Sequence, residues 1–253
     1  MEIRSSIEKF HLLWCSQLAA KVDRKLWCLK GGCNLRFFFN SIRYSEDIDL
    51  DVVTVQPQTL KRNVDKILNS KDFQTLLISR GLELVDWSAP KQTDTTQRWK
   101  AAIGINGLST PIPTKIEFSR RTPDISNSAV EFVNSQITQY HKLQPLLIQH
   151  YNPAKATKQK IQALKGRVET QARDIIDLKF LKDSFPESQQ LVLSAQDKEL
   201  CGDVLMSIGY DDFMSQVWPY LMTEYQDYYQ IPKVWDQIQE DVLLFIQNLP
   251  EKE

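Results

Sequence analysis

The groups in this sequence best suited to chemistry are two aspartates separated by a single residue. Asp47 and Asp49 begin the run 47–53, in which acidic and aliphatic side chains alternate. On a β-strand this spacing directs both carboxylates to one face of the sheet, while Ile48 and Leu50 point to the other. Two carboxylates at this distance repel unless a cation lies between them, and Mg²⁺ accepts such oxygen ligands together with phosphates. The exposed face of an edge strand would give the same pattern, so the pair alone leaves both interpretations open.

Candidate phosphate-binding residues precede Asp47 and Asp49 in the sequence. Gly31 and Gly32 follow the apolar run 26–29, which predicts a short buried strand, and they precede a predicted helix over 34–40. Free backbone N–H groups at the start of a helix bind anions favourably, although a simple strand-to-helix turn would use the same two glycines. The segment also contains three further polar side chains, those of Arg36, Arg43 and Ser45. The combination predicts phosphate ligands and metal ligands at neighbouring strand ends.

The stretch from Lys30 to Val52 resembles motif I of the nucleotidyltransferase superfamily, and specifically that of the AbiEii-type toxin family, which includes MenT-like toxins. The hallmark of that family is a GG…LR…R-x-S-x-D-I-D-L run. Every element of it is present here, as Gly31, Gly32, Leu35, Arg36, Arg43, Ser45, Asp47, Ile48, Asp49 and Leu50. Cys33 stands where we expect the family to carry a small residue or threonine.

A second segment, Lys115 to Ser119, resembles the K-I-E strand of the same family. The resemblance implies that Glu117 supplies a third carboxylate to the metal site. The alternative is an amphipathic edge strand whose charges are solvated, because alternating charged and apolar residues are typical of both.

A third match lies in the part of the chain with helical periodicity. The segments 160–167 and 173–178 are similar to the K-[LI]-x-A-L-x-x-R and [KR]-D-x-x-D-L signatures of the family. Lys160 and Arg167 are seven residues apart, two turns along one helical face, so both cations can reach the same anion. The acids Asp174 and Asp177 also share a face, and we expect Asp177 to be structural and to pair with a cation of the preceding helix. Local ion pairs of little energetic weight are the alternative.

The resemblance implies a metal-dependent nucleotidyltransferase, which moves a nucleoside monophosphate from a nucleoside triphosphate (NTP) to a hydroxyl acceptor and releases pyrophosphate. The catalytic residues it implies are Asp47, Asp49, Lys160 and Asp174, the metal ligands are Asp47, Asp49 and Glu117, and the substrate-binding residues are Gly31, Gly32, Ser45, Arg43 and Arg167. The expected cofactor is Mg²⁺ or Mn²⁺, the expected acceptor is RNA, at the 3′ end of a tRNA, and the expected partner is a cognate antitoxin protein. The alternatives are modification of a protein or small molecule, and an inactive nucleotide-binding protein of the same fold.

Composition and charge exclude several classes of protein. The 253 residues are 42% hydrophobic and 25% charged, which is typical of a globular chain and not of a disordered or fibrous one. No apolar stretch approaches the roughly 18 residues of a membrane span, and the N-terminus lacks the pattern of a secretory signal. Four scattered cysteines without metal-ligand spacing indicate reduced thiols and a cytoplasmic protein. Because the net charge is −1, attraction to RNA must be local; six basic residues between positions 155 and 173 are the candidate surface, with solvated helix faces as the alternative.

We predict an α+β fold, in which a mixed α/β part is followed by a helical one. Residues 1–125 are expected to form a nucleotidyltransferase-like mixed sheet with helices, and residues 126–253 a helical lobe that contributes Lys160 and Asp174 to a cleft between the two. The second part has helical periodicity over 137–150, 156–182, 189–215 and 233–248. The last of these is the clearest, since Trp235, Ile238, Val242, Phe245 and Leu249 mark one apolar face.

Overall fold

The computed structural model describes residues 3–121, 124–166 and 171–251 of the chain. The chain divides into two compact units. The first comprises Met1–Asn40 and Tyr44–Tyr151, and the second comprises Ser41–Arg43 and Asn152–Glu253. No helix in the described ranges is both long enough and apolar enough to cross a membrane.

The first unit is built on a seven-stranded mixed sheet in the order β3-β4-β5-β2-β1-β7-β6. Its strands are β1 (Trp27–Lys30), β2 (Ile48–Val52), β3 (Leu82–Gln92), β4 (Thr96–Ile105), β5 (Ile112–Ser119), β6 (Ser128–Phe132) and β7 (Leu147–Tyr151). Its helices are α1 (Ile3–Lys21), α2 (Gly31–Phe39), α3 (Pro57–Leu68), α4 (Lys71–Ser79) and α5 (Ser135–Tyr140). The central pairs β2–β5 and β1–β7 are parallel and β1–β2 is antiparallel, so the predicted mixed α/β class is confirmed.

The central strands have one apolar and one charged face, as the alternation of acidic and aliphatic residues predicted. Leu50 of β2 and Phe118 of β5 are fully buried. Helix α1 covers this face, where Trp14 packs against Phe118 with ring centroids 6.0 Å apart. The opposite face carries Asp49 and Glu117, which are partners in the parallel pairing of β2 with β5. Burial of the apolar face selects the register of the strands, and the register decides which charged side chains become neighbours.

The prediction of a helix over residues 137–150 is wrong for most of that segment. Helix α5 ends at Tyr140, and Leu147–Tyr151 instead form β7, which pairs with β1 through Leu29 and His150. A short apolar run fits a buried strand as well as a helix, and here a strand distant in sequence decides between them. With β6 preceding β7 in the same sheet, the sheet unit extends to Tyr151 and not to about residue 125.

The described part of the second unit is helical. Its helices are α6 (Pro153–Gly166), α7 (Ala172–Ser184), α8 (Ala195–Met206), α9 (Tyr210–Gln216), α10 (Thr223–Tyr229) and α11 (Pro232–Asn248). The apolar face predicted for the last helix is confirmed, because Trp235, Ile238, Val242, Phe245 and Leu249 are all buried. The segment Ser41–Arg43 belongs to this unit although it lies between α2 and β2 in sequence: the Ile42 carbonyl accepts a 2.9 Å hydrogen bond from the Met222 amide.

Candidate active site

The glycine turn lies directly against the carboxylate of Asp49. Helix α2 begins at Gly31, immediately after β1, and the preceding Lys30 pairs with Asp49 across the antiparallel strands. Gly31 has a φ of +68°, in the left-handed region, and a Cβ at this position would lie 3.0 Å from Asp49 Oδ2. A side chain here would therefore be strained and would crowd the carboxylate, so both the backbone conformation and the close contact favour glycine.

Asp47 is held in an environment that disfavours its negative charge. Burial raises the pKa of its carboxyl, the ammonium of Lys115 lowers it, and the neighbouring charges of Asp49 and Glu46 raise it further, with a net upward shift. The Lys115 ammonium lies 2.8 Å from Asp47 Oδ2. One lysine therefore does not fully offset the burial and repulsion, and a further cation near this pair would be stabilised.

The backbone carrying Asp47 is fixed by side chains from α2, from β5 and from the loop before β2. Its carbonyl oxygen accepts hydrogen bonds from the hydroxyl of Ser45 at 2.9 Å and from the thiol of Cys33 at 3.2 Å. The neighbouring carbonyl of Glu46 accepts one from the hydroxyl of Thr114 at 2.7 Å. Ser45, a predicted substrate ligand, thus also orients the carboxylate pair, and Cys33 contributes a weak donor at a position where we expected a small residue or threonine.

The histidine of α1 supports this arrangement from inside the core. His11 Nε2 lies 2.7 Å from Thr114 Oγ1, and because that hydroxyl donates to Glu46, Nε2 must be the donor to Thr114. Burial lowers the pKa of His11 to about 3, so the ring is neutral, and Nδ1 then faces the Cys33 sulfur at 3.6 Å. No spacing signal in the sequence connects His11 to Thr114, which lies on β5.

The third acid of the alternating run, Asp51, differs from Asp47 and Asp49 because its charge already has partners. Asp51 is fully buried and is bound by the Lys30 ammonium at 2.5 Å and by the Tyr151 hydroxyl at 2.7 Å. Its charge is compensated within the sheet unit. Asp51 therefore belongs to the structural framework, although its residue type and spacing match those of Asp47 and Asp49.

Glu117 stands beside the pair but has a partner of its own. It is the register partner of Asp49, and Arg98 of β4 contacts its Oε2 through Nη2 at 2.6 Å and Nε at 2.7 Å. Within the described ranges, no three His, Cys, Asp or Glu side chains are already grouped as a metal site. The oxygens of Asp47 and Asp49 nevertheless have the chemistry that a hard divalent ion prefers, and the raised pKa of Asp47 fits a pair that needs such a charge.

In the second unit, four charged residues form a buried cluster. The Lys160 ammonium lies 2.9 Å from Asp174 Oδ1 and 2.6 Å from Asp177 Oδ2. Arg43 contacts Asp177 Oδ2 at 2.8 Å and Oδ1 at 3.1 Å through the same guanidinium nitrogen. The prediction that Asp177 pairs with a cation of the preceding helix is confirmed. Arg167 lies outside the described residues.

Both signs of charge are stabilised inside this cluster. Burial raises the pKa of Asp177, but Arg43 and Lys160 lower it more, to about 2. Burial lowers the pKa of Lys160, whereas Asp174 and Asp177 raise it above its ordinary value. Lys160 and Asp177 are therefore ionised at neutral pH, and Arg43, a predicted substrate ligand, also neutralises Asp177.

The basic run between residues 155 and 173 is less cationic than its composition suggested. Lys160 is buried in the cluster, and Lys165 lies 2.5 Å from Asp197 Oδ1. Arg173 contacts the side-chain oxygen of Gln171 at 2.7 Å. The positive charge of the predicted surface is therefore lower than its composition suggests, because acids from other parts of the sequence neutralise some of these lysines.

Comparison with known proteins gives a consistent result. Residues 12–203 match the family described as the nucleotidyl transferase AbiEii toxin of a type IV toxin–antitoxin system. The crystal structure of JHP933 from Helicobacter pylori is similar with a TM-score of 0.58 and 18% identity, over 96% of this chain and 93% of that one. MenT4, the nucleotidyltransferase toxin Rv2826c from Mycobacterium tuberculosis H37Rv, is similar with a TM-score of 0.59 and 15% identity, over 98% and 85%. No curated protein sequence matches.

Proposed function

Because the chain belongs to the AbiEii family of nucleotidyl transferase toxins, we propose that it transfers a nucleoside monophosphate from an NTP to the 3′ end of a tRNA with the help of a divalent metal ion. The observation that carries this proposal is the carboxylate of Asp49, which lies next to the Gly31 turn and interacts with the charge of Asp47. An acid pair that needs a cation thus adjoins a helix start, which favours anions. A metal–triphosphate complex satisfies both requirements.

The reaction needs positioning and charge neutralisation more than covalent participation by the protein. A hydroxyl oxygen of the acceptor releases its proton to solvent and forms a bond to the α-phosphorus. The bond from that phosphorus to the bridging oxygen breaks, and pyrophosphate leaves. When bound, Mg²⁺ or Mn²⁺ supplies positive charge to the phosphates and acidifies the attacking hydroxyl. Asp47 and Asp49 would hold it, with Glu117 on the adjacent strand as the third carboxylate.

The remaining candidate residues have distinct tasks in this proposal. The backbone amides of Gly31 and Gly32 and the hydroxyl of Ser45 bind the triphosphate. In the helical unit, Lys160 offsets phosphate charge, with Arg43 and Arg167 as additional cations. Asp174 orients the ammonium of Lys160. Because Lys160 contacts two aspartates, it can exchange one of these contacts for a phosphate oxygen while it keeps the other.

The biological setting follows from the family. We assign the chain to the cytoplasm, where tRNA and NTPs are available, and to a pair with a cognate antitoxin protein that suppresses its activity. The four cysteines Cys15, Cys28, Cys33 and Cys201 are buried free thiols, which suits a reducing compartment.

Label transfer tests the proposal. The purified chain is incubated with Mg²⁺, total RNA and each NTP in turn, labelled at the α-phosphate, and the label is followed into RNA, protein and small molecules. We expect label on RNA of tRNA size, with one NTP preferred, and none with Asp49→Asn. The matched control Asp86→Asn, the same change at an exposed acid of β3, should transfer like wild type. Label on protein or small molecules would overturn the RNA acceptor, and no label in any fraction would overturn the transferase activity.

A further inference from the structure

Charged residues on the open face of the sheet form two rows that run across several strands. In the first row Asp49 of β2 pairs with Glu117 of β5, Glu117 with Arg98 of β4, and Arg98 with Lys91 of β3. A bulge between Ser88 and Lys91 keeps Lys91 in register with Arg98. These side chains therefore lie on one face in consecutive strands, about 4.8 Å apart.

The second row runs beside the first. Asp47 contacts Lys115 of β5 at 2.8 Å, Lys115 is the register partner of Lys100 on β4, and Lys100 is the partner of Ser88 on β3. In both rows an acid at or just before β2 is followed by cations farther along the sheet. In the first row these cations are on β4 and β3, and in the second row they are on β5 and β4. The four cations Lys91, Arg98, Lys100 and Lys115 are called the basic face below.

The basic face contains like charges in directly paired positions. Lys100 is opposite Lys115, and Lys91 is opposite Arg98. Like charges paired across strands are destabilising. Glu117 offsets Arg98 and Asp47 offsets Lys115, but within the described part of the chain neither Lys91 nor Lys100 forms an ion pair. Lys100 is exposed, and Lys91 is half-buried.

Prevention of strand-to-strand aggregation does not account for both lysines. Lysine on an edge strand deters pairing with another chain, and this applies to Lys91, since β3 is at the edge of the sheet. It does not apply to Lys100, because β4 lies between β3 and β5. A polyanion lying across β4 and β3 would relieve both repulsions at once, at a distance of about 10 to 14 Å from β2.

We propose that the basic face binds the phosphate backbone of the RNA acceptor, so that the terminal hydroxyl reaches Asp47 and Asp49. This inference rests on the proposed nucleotidyltransferase function. Charge complementarity is the argument for RNA, because a chain of regularly spaced phosphates matches a row of cations that begins at the carboxylate pair. Of the four cations of the basic face, Lys91 and Lys100 are the two for which the described residues provide no acid partner, and they contribute most.

The test uses the double variant Lys91→Ala/Lys100→Ala in the full chain. Its control, Lys25→Ala/Lys71→Ala, removes two exposed lysines of the same unit and so changes the net charge equally. Binding of purified tRNA is measured from 50 to 300 mM salt, and the KM values for tRNA and for the NTP are measured separately. We expect the KM for tRNA to rise about tenfold and the salt slope of log K to fall by about 1 to 2, with the KM for the NTP unchanged. The control should match wild type, and Lys91→Arg/Lys100→Arg should retain tRNA binding.

The outcomes separate this inference from the function on which it rests. If wild type transfers label to RNA but the double variant keeps the salt slope and the KM for tRNA of the control, the basic face is not the acceptor site and the inference is overturned. If wild type transfers no label to RNA, the proposed function fails first. In that case tRNA binding that weakens only in the double variant would still support the basic face, and no tRNA binding by wild type would overturn it.

Discussion

Two groups of charged side chains in this protein use the same residue types and reach opposite electrostatic states. In the sheet unit, burial and the charge of Asp49 raise the pKa of Asp47, and Lys115 offsets them only in part. In the helical unit, Asp177 is fully buried, yet Arg43 and Lys160 outweigh that burial and lower its pKa to about 2. The helical cluster is thus neutralised by its own members, whereas the sheet pair lacks full compensation and would be stabilised by a further cation. This difference separates a candidate metal site from a cluster of ion pairs that neutralise one another.

The largest effect is expected from Asp49→Asn, which removes one charge of the sheet pair and keeps the shape. Nucleotide transfer should fall on the order of 1,000-fold, because the remaining carboxylate cannot neutralise or position a divalent ion alone. The metal-free protein should be at least as stable as wild type, since the repulsion with Asp47 is relieved. Transfer rates and urea unfolding without metal measure the two effects. Wild-type rates from this variant would show that the pair is not the metal site.

Asp177→Asn in the helical cluster should affect mainly the stability of the protein, the reverse of what is expected from Asp49→Asn. Loss of this carboxylate leaves Arg43 buried beside a neutral amide, which should lower the free energy of unfolding by about 3–5 kcal/mol. Asp183→Asn, an exposed acid at the end of the same helix, should change it by less than about 0.5 kcal/mol. Turnover should fall more in Asp174→Ala than in Asp177→Ala; equal and mild losses would mean that the cluster only supports packing.

The pH dependence of stability should also differ between the two groups. The folded-state pKa of Asp177 is lowered from 3.8 to about 2, so its contribution is complete above about pH 4 and is lost as the pH falls towards 2. At about 1.4 kcal/mol per pKa unit, this amounts to about 2 kcal/mol. Asp47 has a raised pKa, so its ionisation opposes folding as the pH rises above 3.8.

Urea midpoints between pH 2 and pH 6 measure both contributions. Asp177→Asn should flatten the acid-side loss of stability, and Asp47→Asn should make the protein more stable relative to wild type as the pH rises. An acid-side loss that persists unchanged in Asp177→Asn would contradict the assignment of that loss to the helical cluster.

The smallest effect on stability is expected from Gly31→Ala. A left-handed alanine should cost about 1–2 kcal/mol, and its Cβ would displace the Asp49 carboxylate from which it is 3.0 Å away. Gly107→Ala is the matched control, since Gly107 has a φ of +91° but a Cβ there would meet no atom of the described residues within 4 Å. Both variants should lose similar stability, measured by thermal unfolding, and only Gly31→Ala should lose transfer activity. Equal activity in the two variants would separate the glycine turn from the carboxylate pair.

Several features of this protein were readable from the sequence because they depend on neighbours along the chain. The alternation of acids and aliphatic residues after Asp47 predicted the two faces of β2, and the spacing from Trp235 to Leu249 predicted the buried face of α11. The glycine pair and the Asp-x-Asp pair identified the candidate site and the family. Each of these signals has the period of a strand or helix, or lies within one local motif.

Other features were decided only by tertiary structure, because they depend on partners distant in sequence. The run Leu147–Tyr151 forms a strand because it pairs with β1. Arg43 is adjacent in sequence to the sheet motif but forms an ion pair with Asp177 in the helical unit. The sequence contains three similar acids in one alternating run. Lys30 and Tyr151 neutralise Asp51, so Asp47 and Asp49 remain as the candidate metal ligands. Composition determines which charges a chain has, but strand register and burial determine which of them are neutralised. The reason is that electrostatic energy depends on distance and solvent access and not on spacing along the chain.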